Sequence, residues 1–391
     1  MNSTRQQDAW LLDGVRTPFG KYRGTLASLN SLELGQCAIS ALIGRHPGAK
    51  APDAALFGCV VQAGLGQNPA RIASVRAGVE STTPALTLNS VCIASLEAVC
   101  DATRRIRGDE GQRYLVGGFD SMTRAPSVMP GEFDPPDAQG RSVLDSDGLR
   151  CALSGGSMGA LSEECNRVLG IGREEQDEWA VMSQQRAALA AALREEHEIV
   201  PVQTTDGIVT SDQGIRADTT LTKVAALRPA FGEAGTITAA NASQMSDGGS
   251  AGLIVSTASL ERSGYTPLAR IVDWGFVAGP DATLHLKPAN AIRLVLQKQG
   301  LRATDIDLYE INEAFAGVAI ASTRDLGLSA DIINVNGGAI AIGHPLGASG
   351  FRLLLTLALE MRRRKVRRGI ASLCGGGGQG MAVLIENSAF Q

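Results

Sequence analysis

Two cysteines and one histidine sit among residues that packing alone does not require. Asn89-Ser90-Val91-Cys92-Ile93-Ala94-Ser95-Leu96 places a cysteine where an apolar run gives way to a helix. Unpaired N–H groups and the helix dipole favour thiolate at such a point, so the sequence predicts a lowered pKa for Cys92. A buried, inert cysteine is the competing reading. Asn336 to Gly350 carries five glycines around His344, just ahead of a helix. Missing side chains leave room for something to approach the backbone, and the histidine is a candidate base. No Gly-Lys-Ser/Thr follows, so this is not a phosphate loop. Cys374-Gly375-Gly376-Gly377-Gly378-Gln379-Gly380 matches G-x-G-x-x-G in letters, but no helix or βαβ unit follows as a dinucleotide fingerprint requires. It reads instead as a cysteine ending a strand, with glycine N–H groups free to bind an oxyanion. Glu310-Ile311-Asn312-Glu313-Ala314-Phe315 adds polar residues at a strand end, a pattern that most often caps a helix.

The elements around these segments alternate as in an α/β protein. Strands are expected at Trp10 to Leu12, Ala85 to Leu88 and Arg113 to Gly117. Helices are expected near Leu32–Ile43, with Asn30 and Glu33 at its start, after Asn68-Pro69, and from Cys92 to Arg107. Ala125 to Leu149, with Pro126, Pro130, Pro135 and Pro136, reads as an irregular excursion. A long helix is expected from about Arg173 to Glu195. Strands return at Leu268–Phe276, Leu308–Ile311, Ile332–Val335, Ile370–Leu373 and Met381–Ile385, separated by helices near Ala289–Gln299, Glu313–Leu326 and Gly347–Arg364. The rhythm occurs twice, and Tyr114 to Gly118 echoes Ala371 to Gly376, which suggests a duplication.

Composition narrows the function classes. The 391 residues are 44% apolar and 19% charged, which excludes disorder and fibrous repeats. With 36 basic and 40 acidic residues the formal charge is −4, so no nucleic-acid partner is expected. No apolar run suits a signal peptide or a membrane span, and a cytoplasmic location without membrane association is expected. The seven cysteines contain no C-x-x-C pair, which disfavours disulfides and structural zinc. Asn241-Ala242-Ser243 matches a glycosylation triplet without chemical consequence inside the cell.

Taken in order from Trp10 to about Ile385, Asn89-x-x-Cys92, Asn312-Glu313-Ala314-Phe315, the Gly337-to-Gly350 histidine loop and the Cys374 glycine loop closely resemble the thiolase family. The resemblance implies an α/β thiolase fold: two similar βαβαβαββ halves in a five-layered α-β-α-β-α core, plus an inserted loop domain. On that pattern residues 1–120 with 249–270 form the N-terminal half, 121–248 the insert and 271–391 the C-terminal half. The implied activity is reversible Claisen chemistry, two acetyl-CoA giving acetoacetyl-CoA and CoA through an acyl-cysteine. Coenzyme A is substrate and product, and no metal or redox cofactor is needed.

The resemblance also distributes roles. Cys92 would take the acyl group, His344 would help remove its proton, and Cys374 would move the α-proton. A free thiol is only about 3% ionised at neutral pH, which is why such a base is required. One oxyanion site would lie at His344 with a water held by Asn312, another at the N–H groups of Cys92 and Gly376. Arg216 and Ser243 look like coenzyme A contacts, and Leu149, Met158, Phe231 and Phe315 like tunnel walls. A homodimer or homotetramer is implied, with acyl-CoA thioesters and CoA as the small-molecule partners.

Three departures from the family pattern stand out. The usual small-Ser-Gly run after the nucleophile is Ile93-Ala94-Ser95, which crowds the helix start. Ser157 precedes Met158-Gly159 where acetoacetyl-CoA thiolases often carry histidine. The Ala125–Leu149 excursion looks shorter than the loop that ties many members into tetramers. Rival readings are a thiolase for longer 3-ketoacyl chains, a decarboxylating ketoacyl synthase, which generally relies on two histidines, and a non-catalytic acyl-CoA-binding protein.

Overall fold

The structure is a computed structural model that describes residues 7–390 apart from 133 and 136. Pro136 of the expected excursion and residues 1–6 lie outside the described residues. The main strands run in the order Leu308–Ile311, Arg368–Gly375, Gln379–Asn387, Ala269–Ala278, Ala9–Arg16, Ser246–Ser256, Arg113–Ser121, Ala54–Gly58, Ala85–Leu88.

The order is a repeat. In the N-terminal half, Ala54–Gly58 is parallel to Ala85–Leu88 and Arg113–Ser121, and two antiparallel strands follow. In the C-terminal half, Leu308–Ile311 is parallel to Arg368–Gly375, again followed by two antiparallel strands. Irregularities repeat as well. Ala9–Arg16 shifts register between Leu11 and Asp13, and Ala269–Ala278 between Ile271 and Asp273. Each aspartate accepts the next N–H, Gly14 at 2.8 Å and Trp274 at 2.7 Å. Asp53 likewise accepts the N–H groups of Gln112 and Arg113, as Asp307 does those of Arg367 and Arg368. Bulges placed alike in both halves argue for duplication far more strongly than the glycine echo does.

The halves join where Ala9–Leu11 pairs with Ala269–Ile271. The Ala94–Arg107 and Leu346–Arg364 helices pack on each other and on strands of both halves, so they form the central layer. Ser31–Arg45 covers the outer face of the first half, while Lys287–Gln299 and Ala316–Leu326 cover that of the second. This is the expected five-layered arrangement. Leu346–Arg364 is buried on every side through Ala358, as a helix between two sheets must be. At the centre a Cβ on Gly118 would stand 2.0 Å from the Gly347 carbonyl oxygen, so the main chains of the two halves touch directly.

Local signals place most elements. Asn30 and Glu33 form a reciprocal capping box on Ser31–Arg45. Asn68 caps Pro69–Arg76. Four expectations require correction. Ile332–Val335 forms no strand: Ile333 makes a single parallel bridge to Tyr309, and the Asn334 side chain takes both main-chain groups of Ile311. The helix expected from Arg173 to Glu195 is two, Arg173–Leu189 and Ala191–His197. Arg194 donates to the Ala187 carbonyl, the acceptor that a continuous helix would offer to residue 191. The central helix begins at Ala94, not Cys92, and Glu313–Leu326 begins at Ala316, because the polar segment before it stays extended. The Ala125–Leu149 excursion contains a Ser127–Val128/Arg141–Ser142 ladder and a π-helical turn, Leu144–Leu149.

Candidate active site

Cys92 follows the Ala85–Leu88 strand through a tight turn. Asn89 Oδ1 accepts the Val91 N–H at 3.0 Å, and the Ala94 N–H returns to the Val91 carbonyl at 3.1 Å. Val91 has φ +55°, an unfavourable conformation for a β-branched side chain. The turn leaves Cys92 part-exposed while its neighbour Ile93 is fully buried. The crowding expected from Ile93 is thus relieved inward, beneath Gly375. Ser95 accepts the Phe351 N–H at 3.0 Å and so joins the two central helices.

The glycine loop after Cys374 packs on this turn: a Cβ on Gly375 would meet the Ser90 carbonyl oxygen at 3.4 Å and one on Gly376 would meet Val91 at 3.3 Å. Sequence reasoning expected a lowered pKa at Cys92, and that is corrected. Burial dominates and pushes the thiol up to about 12, with the Asp120 charge adding to it, and hydrogen bonds from the Gly376 and Cys92 N–H groups only partly offset this. Burial and the proximity of Cys92 also push Cys374 above its usual range. Cys374 is the penultimate residue of Arg368–Gly375 and lies in an apolar cluster with Ile237, Leu284, Ala314 and Phe315.

His344 follows Gly343, whose φ of +106° and close approach to Ser246 exclude a side chain. Ser246 Oγ donates to the Gln244 carbonyl at 2.7 Å and accepts the His344 N–H at 3.2 Å. On the ring, Nδ1 is 2.6 Å from Ser349 Oγ and Nε2 is 3.3 Å from Asn312 Nδ2. Ser349 gives its own proton to the Pro345 carbonyl at 2.7 Å, so its oxygen accepts from Nδ1–H. Nε2 then carries the lone pair. Burial, aided by the Arg352 charge, holds the imidazole down at about 3, hence neutral.

Glu313 steadies this corner. Its carboxylate accepts from Trp179 Nε1 at 3.0 Å, Ser183 Oγ at 2.7 Å, Asn334 Nδ2 at 2.9 Å and the Ile340 N–H at 3.2 Å. Within the Asn312-Glu313 pair, one residue faces the histidine and the other ties the insert to the histidine loop. On the opposite side the buried Asp120 carboxylate accepts the N–H groups of Val60, Val61 and Gly347.

The remaining expected residues divide into two groups. Leu149 and Cys92 both pack against the cluster of Val60, Val61, Met122 and Leu346, while Phe315 shares a cluster with Cys374 against which Met158 packs. Phe231 is 39% exposed and meets Phe315 edge-on, with ring centroids 6.3 Å apart. Ser157, in the position where histidine was expected, caps Met158–Leu169 through the Ala160 N–H. Arg216 lies farther out, on a cavity of about 180 Å³ shared with Gln184, Lys223, Gln244 and Ile340. Ser243 is held beside Phe315 by its N–H to the Ala314 carbonyl at 3.0 Å. Asn241 of the glycosylation triplet is buried and bonded to Asp177 and Thr236.

Sequence reasoning missed Ser349, Arg352, Glu310 and Asp120. A usable signal existed for Arg352: a lone charge in Phe351-Arg352-Leu353-Leu354-Leu355 demands a buried partner, here Glu310 Oε2 at 3.2 Å. The other histidines are engaged elsewhere: His46 with Asp13, His285 with Asn166, and His197 beside Glu196 on the surface. Among the described residues no cluster of His, Cys, Asp or Glu is arranged to hold a metal, and no helix is long and apolar enough to cross a membrane.

Comparison with known proteins shows the family. Residues 10–258 match the thiolase N-terminal domain and residues 265–387 the thiolase C-terminal domain. A probable acetyl-CoA acetyltransferase of Mycobacterium tuberculosis is 44% identical over 388 residues, covering 96% of this chain and 98% of the relative. The acetyl-CoA acetyltransferase of Escherichia coli is 40% identical over 386 residues, covering 96% and 98%. That of Cupriavidus necator is 40% identical over 390 residues, covering 97% and 99%. Both domains are matched in order along the chain, which belongs to the thiolase family.

Proposed function

We propose that this protein is an acetyl-CoA acetyltransferase that condenses two acetyl-CoA to acetoacetyl-CoA and CoA, and runs the reverse thiolysis. The observation that carries the reading is the packing of the glycine loop after Cys374 on the Cys92 turn, where a Cβ on Gly375 would meet the Ser90 carbonyl oxygen at 3.4 Å and one on Gly376 would meet Val91 at 3.3 Å.

Cys92 attacks the thioester carbonyl as its proton passes to His344 Nε2. The bond to the coenzyme A sulfur breaks, that sulfur takes the proton, and acetyl-Cys92 and CoA result. A high thiol pKa and a low imidazole pKa disfavour a standing thiolate–imidazolium pair, so proton transfer accompanies C–S bond formation. For condensation Cys374 gives its proton to His344 and takes one from the methyl of a second acetyl-CoA. The resulting carbanion attacks acetyl-Cys92, acetoacetyl-CoA departs, and the Cys92 sulfur recovers the proton from His344. The Cys92 and Gly376 N–H groups hold the tetrahedral oxyanion. His344, with a water held by Asn312, holds the enolate oxygen. One such donor is worth about 2.7–4 kcal/mol of barrier.

Arg216 and Lys223 receive the phosphates of coenzyme A, Ser243 contacts the pantetheine arm, and Leu149, Met158, Phe231 and Phe315 wall the acyl tunnel. Residues 1–120 with 249–270, 121–248 and 271–391 are taken as the two halves and the insert. A homodimer or homotetramer is part of the same reading. Leu86 on the edge strand and Val75 on the helix beside it are each 40% exposed, and the strand edge itself is unpaired. A cytoplasmic location suits seven free thiols, two of which must stay reduced to react.

The test is turnover of acetoacetyl-CoA and of a longer 3-ketoacyl-CoA with free CoA, beside Cys92→Ala. Acetoacetyl-CoA cleavage lost in the variant, with acetyl recovered on Cys92 by peptide mass spectrometry, supports the reading. Undiminished turnover in Cys92→Ala overturns it. Faster cleavage of the longer chain, decarboxylation of a malonyl thioester, or binding without turnover would each replace it with the corresponding rival.

A further inference from the structure

We propose that Arg352 is a positioning residue for this chemistry and acts through Asn312; the inference rests on the function proposed above. Arg352 lies two turns into the Leu346–Arg364 helix, is fully buried, and spans two residues of the neighbouring strand end. Nη1 donates to Glu310 Oε2 at 3.2 Å and Nη2 to Asn312 Oδ1 at 3.4 Å.

A guanidinium only donates, so the atom of Asn312 that faces it is the carbonyl oxygen. That choice turns the amide NH₂ towards His344 Nε2, 3.3 Å away. Among the described residues only Arg352 bonds Asn312 Oδ1, so without it the amide is not distinguished from its flipped form. A flipped amide would set an oxygen lone pair against the Nε2 lone pair and remove the donor from the cleft. Glu310 keeps the guanidinium in place, being itself buried and held against Arg352.

The same helix face holds the other side of the ring. Ser349, one turn earlier, fixes Nδ1 as the protonated nitrogen. One helix therefore sets the imidazole tautomer with a hydroxyl and the amide orientation with a guanidinium. Both depend on the same 3.6-residue spacing. The buried charge also opposes imidazolium formation, which keeps the base neutral.

The test is a double-mutant cycle on acetoacetyl-CoA thiolysis with Arg352→Met, Asn312→Ala and the pair. Arg352→Met should lower kcat about 100-fold with the CoA KM within about 3-fold. Introduced into Asn312→Ala it should cost less than about 3-fold more. Arg352→Met/Glu310→Gln, which removes the unpaired carboxylate, should keep the fold by circular dichroism and stay as slow as Arg352→Met. Arg352→Lys should recover part of kcat, since an ammonium can reach one oxygen but not hold both. Losses that multiply in the cycle, or full recovery in Arg352→Met/Glu310→Gln, would overturn the assignment while leaving the thiolase reading intact. A wild-type protein that cleaves no 3-ketoacyl-CoA would overturn that reading and this inference together.

Discussion

The carboxylate of Asp120 accepts the Gly347 N–H at 2.6 Å and thereby fastens the strand of one half to the first turn of the central helix of the other. An anion at a helix N-terminus is favourably placed. Burial nevertheless dominates and raises Asp120 to about 6, above the unfolded value near about 3.9. The folded protein thus binds more protons than the unfolded chain between those values. Stability from this group is full below about pH 4 and is lost as pH rises through 6. Asp120→Asn removes this loss, so its melting temperature relative to wild type should climb between pH 4 and pH 7. A difference that stays flat or falls would refute the assignment.

The same charge opposes thiolate formation at Cys92. Alkylation of Cys92 by iodoacetamide should therefore have a lower pH midpoint in Asp120→Asn than in wild type. An unchanged midpoint, followed by mass spectrometry of the Cys92 peptide, would show that the carboxylate does not reach the nucleophile.

The two thiols are expected to separate by step. Cys374→Ala should still exchange labelled CoA into acetyl-CoA, because that needs only Cys92 and His344. Its condensation should fall by a factor on the order of 10³ or more. Equal loss of exchange and condensation would mean that Cys374 does not have a separate proton-transfer role.

Ser349→Ala removes the acceptor that holds Nδ1–H. With the tautomer no longer fixed, kcat should drop about 10- to 100-fold while KM changes little. Nitrogen-15 spectra of labelled histidine should show Nε2 of His344 as the unprotonated nitrogen in wild type and a mixture in the variant.

The outer cavity carries Arg216 and Lys223 on a surface that water reaches. Arg216→Ala should raise the KM for CoA about 5- to 10-fold with kcat nearly constant. The wild-type advantage should shrink as salt increases, because exposed charges are screened.

Much of the site was legible because its parts are local. Glycines around His344 and after Cys374 signal close approach whatever the fold, and Asn30 with Glu33 announces a helix by a contact three residues long. What escaped depends on distant partners. Ser246–Ser256 is the longest strand and fully buried, yet Gly248, Gly249 and Gly252 disguise it as a loop. Those glycines are required because Phe19, the backbone of Leu34 and the Phe351 ring occupy the space of a Cβ. The Ile332–Val335 pattern promised a strand until one side chain, Asn334, replaced the ladder. The Cys92 pKa was misjudged for the same reason: the dipole is visible in a sequence, but the burial that outweighs it is set by the tertiary fold.

The passage of Gly118 against Gly347 bears on how the catalyst can be altered. Because bare peptide planes meet there, the spacing of the Arg113–Ser121 strand from the Leu346–Arg364 helix is gauged by main chain and not by any replaceable group. On the proposed function, changes at Leu149, Met158 or Phe231, which lie away from this seam, leave that spacing intact. Enlargement at the glycine seam would wedge the halves apart and disable every substrate alike.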